Sequence, residues 1–367
     1  MAFRTLDLEL AFLRLHLALL PRPDLADDLL ARAGSPECVF QHLGAALDSA
    51  GEPLPPAVAG RLRDGAFEGL ARREVEICRR AGVTILRRGG PGWPHLFAGL
   101  PGMPLVLFAR GAIEDQDQRS IGMVGSRRPT PYGLRQAGQF ARGLAARGIT
   151  VVSGLARGID GESHRAALEA GGRSIGVLGS GLGRIYPAEH ASLARRVETQ
   201  GAIVTEFPWA TPPLKHHFPH RNRILSALSR GVLVVEAGER SGSLITADWA
   251  AEQDRPVFVV PSRVDSVEAL GGLRLLQDGA QVVLDADDVA AAAGLGDLAA
   301  SRSAVRGMPG DGLPEELAAL FQEEDVWTLE EIAARLGRPL PGVMAMLVGL
   351  EDAALVRRVE TGGFARA

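Results

Sequence analysis

The stretch IGMVGSRRPTPYGLRQAGQFARGLAARGITVVSGLARGIDGESHRAALEAGGRSIGVLGSGLG, residues 121–183, decides the fold class. Three short apolar runs stand in it: IGMVG (121–125), ITVVSG (149–154) and SIGVLG (174–179). Helical stretches around 132–147 and 160–170 separate them. The same alternation continues outward through AIVTEF (202–207), GVLVVEA (231–237), RPVFVV (255–260) and AQVVL (280–284). Helical stretches are expected around 188–199, 222–230, 243–254 and 267–277. Near-continuous Val/Ile/Leu strands separated by helices imply a doubly wound, mostly parallel α/β sheet covered on both faces. Upstream, Val83–Leu86 and Leu105–Phe108 flank a Gly/Pro-rich segment and are candidate strands added at the sheet edge.

Both flanks change character. Residues 1–84 read as several short helices, with breaks at Gly34, Gly44 and the GEPLPP segment (51–56), a further helical run from Gly65 through Ile77, and no cluster of catalytic side chains. Residues 295–312 are small, polar and glycine-containing, the composition of a linker. In 313–367, Thr328 and Glu331 have capping-box spacing ahead of an Ile332–Leu336 helix. A second helix from Pro341 to Ala353 and two strands, Leu355–Val359 and Gly363–Ala365, complete a helix-turn-helix or winged-helix pattern. This segment carries 5 Arg against 10 Asp+Glu. A DNA-reading module is expected to be basic, so its acidity points to protein contact.

Charge is unevenly spread. The 367-residue chain has a formal net charge of −4, yet Arg119 to Arg223 holds 15 Lys+Arg against 6 Asp+Glu. Such asymmetry points to a local polyanion site. Residue usage sharpens the place: the lone lysine, Lys215, and the lone asparagine, Asn222, both fall in KHHFPHRN (215–222). An ammonium point charge and an amide are not freely replaced by guanidinium or other polar groups.

In open α/β sheets, ligands bind beyond the carboxyl ends of the strands. The loops expected there are Gly125-Ser126-Arg127-Arg128, Ser153-Gly154-Leu155-Ala156-Arg157-Gly158, Gly179-Ser180-Gly181-Leu182-Gly183, the Pro208-to-Arg223 segment and Ser241-Gly242-Ser243. Glycines let backbone N–H groups approach an anion, and helix N-termini add partial positive charge. One such loop is an ordinary tight turn. Five on one rim, in the basic region, imply a phosphate-lined path. Phe218 among these bases suits single-stranded nucleic acid, with a base stacked on the ring and phosphates on the cations.

Other chemistries fit less well. G-x-G-x-x-G fails because position 184 is Arg184, and a Walker A lead-in to Lys215 is missing, which disfavours NAD and ATP. His216, His217 and His220 lack nearby Cys and have few acids, a poor metal set. Ser126, Ser153, Ser241 and Ser243 lack a nucleophile elbow. Glu206 and Glu236, at strand ends, are the alternative: an acid–base pair for hydrolysing a nucleotide N-glycosidic bond. Two cysteines make no disulfide framework, which fits a reducing cytoplasm. No apolar run approaches the ~20 residues of a membrane helix, and the N-terminus lacks a signal-peptide layout.

Together VGSRRPTPYG, SGLARGIDGESHRAAL, GVLGSGLGRIYP, FPHRNRILSALSRGVLVVEAGERSGSLITADWA and RPVFVVP resemble the DprA/Smf family, DNA-processing protein A, over about residues 82–290. The resemblance implies a Rossmann-like domain spanning 85–294 that binds single-stranded DNA. It implies a helical N-terminal domain of the SAM or helix-hairpin-helix kind and a winged-helix C-terminus. It implies a homodimer through the Rossmann-like domain that helps load the RecA recombinase in natural transformation, with no required metal or nucleotide cofactor and no known turnover. The implied DNA-contacting set is Ser126, Arg127, Gly179, Gly181, Lys215, Phe218, Arg221 and Asn222, with Arg157, Gly158, Ser241, Gly242 and Ser243 lining or shaping the same rim. Departures from the family pattern are Ser163, Gly183, His190 where Asn is usual, and Ser262 after Pro261.

Overall fold

A computed structural model describes residues 2–41, 54–296, 326–336, 340, 343, 347, 356–359 and 364–366. Backbone packing divides the chain into two units, Met1–Gly296 and Asp297–Ala367. No helix among the described residues is long and apolar enough to cross a membrane.

The first unit is built on a nine-stranded sheet in the order β1-β2-β6-β5-β4-β3-β7-β8-β9. β1 (Thr84–Arg87) and β2 (Val106–Gly111) are the antiparallel edge expected upstream, with β2 antiparallel to β6. The strands β3 (Ser120–Val124), β4 (Thr150–Ser153), β5 (Ser174–Val177), β6 (Gly201–Thr205), β7 (Val232–Val234), β8 (Val257–Val259) and β9 (Gln281–Val282) are parallel. The chain winds outward from β3 to β6, returns to the centre, and winds the other way from β7 to β9. The order therefore reverses between β3 and β7, and the carboxyl ends of those two strands frame the crevice where such sheets hold ligands.

Strand side chains alternate between two cores. Ile121 and Met123 of β3, with Leu233 and Phe258, bury against Phe140, Leu144, Ile159 and Val289. These come from α6 (Pro131–Ala146), α7 (Ile159–Glu169) and α12 (Ala286–Ala292). On the other face Val124, Val152, Val177, Val204 and Val234 bury against Ile224, Leu225, Ala247 and Ala250. Those belong to α9 (His217–Ala227) and α10 (Leu244–Glu252). Between these helices lie α8 (Ala191–Thr199), before β6, and α11 (Leu270–Gln277), before β9. The N-terminal helices α1 (Ala2–Leu19), α2 (Leu25–Ala33), α3 (Pro36–Gln41), α4 (Pro56–Arg63) and α5 (Ala66–Ala81) share a continuous core with Leu105, Phe108, Leu155 and Ile203.

Two differences from the sequence expectation matter. α9 begins at His217 rather than near 222, so Phe218, Arg221 and Asn222 are helical. Pro219 is tolerated because it falls in the first turn, where backbone N–H groups have no intrahelical partner. α12 was not anticipated; the Asp285 side chain caps it by accepting from the Asp287 and Asp288 N–H groups.

In the second unit the Thr328–Glu331 capping box is present, opening α13 (Leu329–Leu336). Strands β10 (Val326–Trp327), β11 (Val356–Arg358) and β12 (Phe364–Arg366) pair in the order β10-β12-β11. The expected linker beyond Gly296, and the expected Pro341-to-Ala353 helix except at Val343 and Leu347, lie outside the described residues.

Candidate nucleic-acid interface

A groove of about 1120 Å³ opens at the β3/β7 crevice. It is lined by the loop after β3 (Ser126, Arg127 and Arg128), the entry to α9 (Lys215, Phe218, Arg221 and Asn222) and the loop after β7 (Arg240, Ser241, Gly242 and Ser243). Phe218 meets Arg127, whose guanidinium carbon lies 5.3 Å from the centre of its ring, and Lys215 lines the same groove. Tyr186 adds a second ring, 5.6 Å from that of Phe218. Arg127, Arg128, Lys215 and Arg240 are exposed, and none has a carboxylate oxygen within 4.0 Å among the described residues. Three carboxylates stand at the groove: Asp160 is buried, Glu239 is paired with Arg274 at 2.5 Å, and Glu268 is exposed and accepts from the Ser266 hydroxyl at 3.2 Å. Uncompensated cations beside an accessible aromatic ring suit a flexible polyanion that carries flat bases.

The loop after β7 is braced. Ser241 and Ser243 share a hydroxyl hydrogen bond of 2.6 Å, and the Asn222 amide donates to the Gly242 carbonyl at 3.3 Å. Asn222 Oδ1 in turn accepts from Arg221 Nε at 3.0 Å. This dual use needs one donor and one acceptor on one side chain, which accounts for an amide at this position.

The remaining expected positions lie around the groove, outside its lining. Gly179 sits beneath Phe218, where an added Cβ would meet the ring at 3.0 Å. At Gly181 an added Cβ would run into the Pro208 and Trp209 carbonyls, and at Gly158, with φ +77°, into the Ser126 carbonyl. These glycines shape the rim. Gly181→Ala is expected to cost ~1–3 kcal/mol by overpacking, read as a lower thermal midpoint. Arg157 is held by Glu189 in a two-pronged pair at 2.5 and 2.7 Å. The sequence names Arg128 only as part of the first loop and does not single out Tyr186 or Arg240; the IYP and GERSGS segments carry the signal for those two.

The alternative pair of carboxylates is committed elsewhere. Glu236 accepts from Thr130 N and Thr130 Oγ1 at the start of α6. Glu206 is fully buried, 2.6 Å from Arg223. Burial pushes the Glu206 carboxyl up, but Arg223 and the neighbouring His220 outweigh it and hold the group at about 2. Neither carboxylate lines the groove.

Comparison with known proteins places this geometry. The family model for DNA recombination-mediator protein A matches residues 84–294. The chain belongs to that family. It is 42% identical to protein Smf of Escherichia coli K12 over 274 residues, 72% of each chain. The solved DNA processing protein A of Streptococcus pneumoniae superposes with a TM-score of 0.59 at 29% identity, covering 76% of this chain and 97% of that one. The Helicobacter pylori protein of the same name, noted for a unique single-stranded-DNA binding mode, gives 0.50 at 29% identity, covering 57% and 94%. The α/β sheet, the groove and its loops all fall inside the matched region of this DNA-processing family.

Proposed function

We propose that this protein binds single-stranded DNA in the β3/β7 groove without turning it over. The observation that carries the reading is the Arg127–Phe218–Lys215 constellation: unpaired cations for phosphates set against a ring for a base. The wider role proposed is that of its family: protecting incoming single strands and loading the RecA recombinase in natural transformation and recombination, in the cytoplasm. We read the assembly as a homodimer through the Rossmann-like domain, with the acidic C-terminal unit as a winged-helix module for protein contact.

The test is a salt titration with single- and double-stranded oligonucleotides of equal length. For the single strand, log K against log[salt] is expected to fall with a slope of ~0.7 per phosphate neutralised. Arg127→Ala should lower that slope by about 0.7 and weaken all sequences alike, since phosphate contacts carry no base information. Equal affinity for duplex and single strand would sink the reading. So would base release from nucleoside monophosphates that is lost in Glu236→Gln.

A further inference from the structure

Arg221 lies at the groove, yet only 4% of it is exposed. Its Nη1 donates to the Gly154 carbonyl at 2.8 Å and also to the Val177 carbonyl. Its Nε donates to Asn222 Oδ1. One guanidinium thus ties α9 to the carboxyl ends of β4 and β5. The loop it grips is clamped from the other side too. Asp160 accepts from Gly154 N at 3.1 Å and Ala156 N at 3.4 Å. His164 Nε2 accepts from Leu155 N, and His190 Nδ1 donates to the Leu155 carbonyl at 2.9 Å. These bonds hold Leu155 at φ +55°, a left-handed conformation that non-glycine residues adopt only when their surroundings impose it.

This loop backs the Arg127 turn. Ile159 N, at the start of α7, donates to the Ser126 carbonyl at 3.2 Å. On the other side, Phe218 lies three residues before Arg221 on α9, on the same helix face. A continuous path therefore runs from the Phe218 ring through α9, Arg221, the Gly154 loop and α7 to Arg127.

We infer that Arg221 is a positioning residue for the proposed strand: it sets the spacing between the stacking ring and the phosphate-binding turn and does not itself neutralise a phosphate. The inference rests on the single-stranded-DNA reading. It differs from the contact role that the family resemblance implies for the same side chain. A fixed fork is what the role requires, because three acceptors on two strand ends and one helix must be met at once. Lysine supplies the charge without the fork.

The experiment compares the wild type, Arg221→Lys and Arg221→Gln by single-strand affinity across a salt series, well below each thermal midpoint. Arg127→Ala marks the slope change of a true phosphate contact. Positioning predicts that both Arg221 variants bind roughly ten-fold more weakly, that lysine does not rescue, and that the salt slope stays at the wild-type value. A direct contact predicts a slope lower by about 0.7 in Arg221→Gln and recovery in Arg221→Lys, which would overturn the inference. Unchanged affinity in both variants would overturn it as well, by showing a purely structural role. Should the single variants fold poorly, Asp160→Asn/Arg221→Gln removes both charges together and avoids leaving buried Asp160 alone; the same slope comparison then decides. Failure of the wild type to bind would instead refute the underlying reading.

Discussion

Phe218→Ala is expected to weaken single-stranded-DNA binding by ~1–3 kcal/mol, the range for one stacked base, or roughly 5- to 150-fold in Kd. The ring is half-buried at the start of α9, backed by Gly179 and flanked by Tyr186 and the Arg127 guanidinium. Truncation removes the surface on which a base would lie and also the seat of Arg127, a cation–π contact of ~0.5–1 kcal/mol at exposed sites. The loss should be independent of salt, because stacking releases no counterions, so the log–log slope should stay within error of wild type. Phe218→Trp should retain most of the affinity. Duplex binding should be unaffected, since paired bases are not free to stack on a side chain. A fluorescence anisotropy titration of a labelled oligonucleotide at two salt concentrations reads all of this. An affinity change under two-fold would mean that no base sits on the ring.

What could be read in advance follows the physics of each feature. The parallel strands stood out because burial on both faces demands unbroken runs such as Val232, Leu233 and Val234, all fully buried. The order in which they pair is a long-range property, and no local signal places β3 beside β7. The sequence expectation starts this helix near 222, whereas α9 begins at His217, because a proline in the first turn costs no intrahelical hydrogen bond. Arg127 stands some 90 residues before Lys215 and Phe218 in the chain, and residue type and family resemblance are what group them in the sequence; the strand-order reversal is what brings them to one groove. Arg221 shows the limit of that approach. Its type and motif position suggest a phosphate ligand, but burial and its three acceptors, visible only in three dimensions, give it another task.

The largest effect on stability is expected at Glu206. Glu206→Gln should destabilise the fold by ~3–5 kcal/mol, because Arg223, 3% exposed, would be left as a buried charge without its counter-ion. The pair sits where the N-terminal helices meet the sheet: His16 on α1 donates to the Glu206 backbone carbonyl at 2.7 Å. Glu206→Leu/Arg223→Met, which removes both charges and keeps apolar volume, should recover much of the loss. The same pair makes the fold acid-labile, and the sign follows from the direction of the shift. A carboxyl held at about 2 in the folded chain rather than at the ordinary 4.5 favours folding while ionised. That contribution, ~3 kcal/mol, is complete above pH 4.5 and is lost as pH falls toward 2. Buried His16 and His164 act in the same direction from higher pH: desolvation lowers both, His164 to about 3, so protons bind the unfolded chain preferentially as pH drops below 6.5. Urea unfolding of the wild type between pH 7 and pH 3 should therefore show stability falling first through the histidine range and again below 4.5. In Glu206→Gln the fall through the histidine range should persist, while the carboxylate step should shrink by about the amount that Glu206 supplies. A full-sized step below 4.5 in that variant would assign the acid lability to other carboxylates and remove the buried pair from its account.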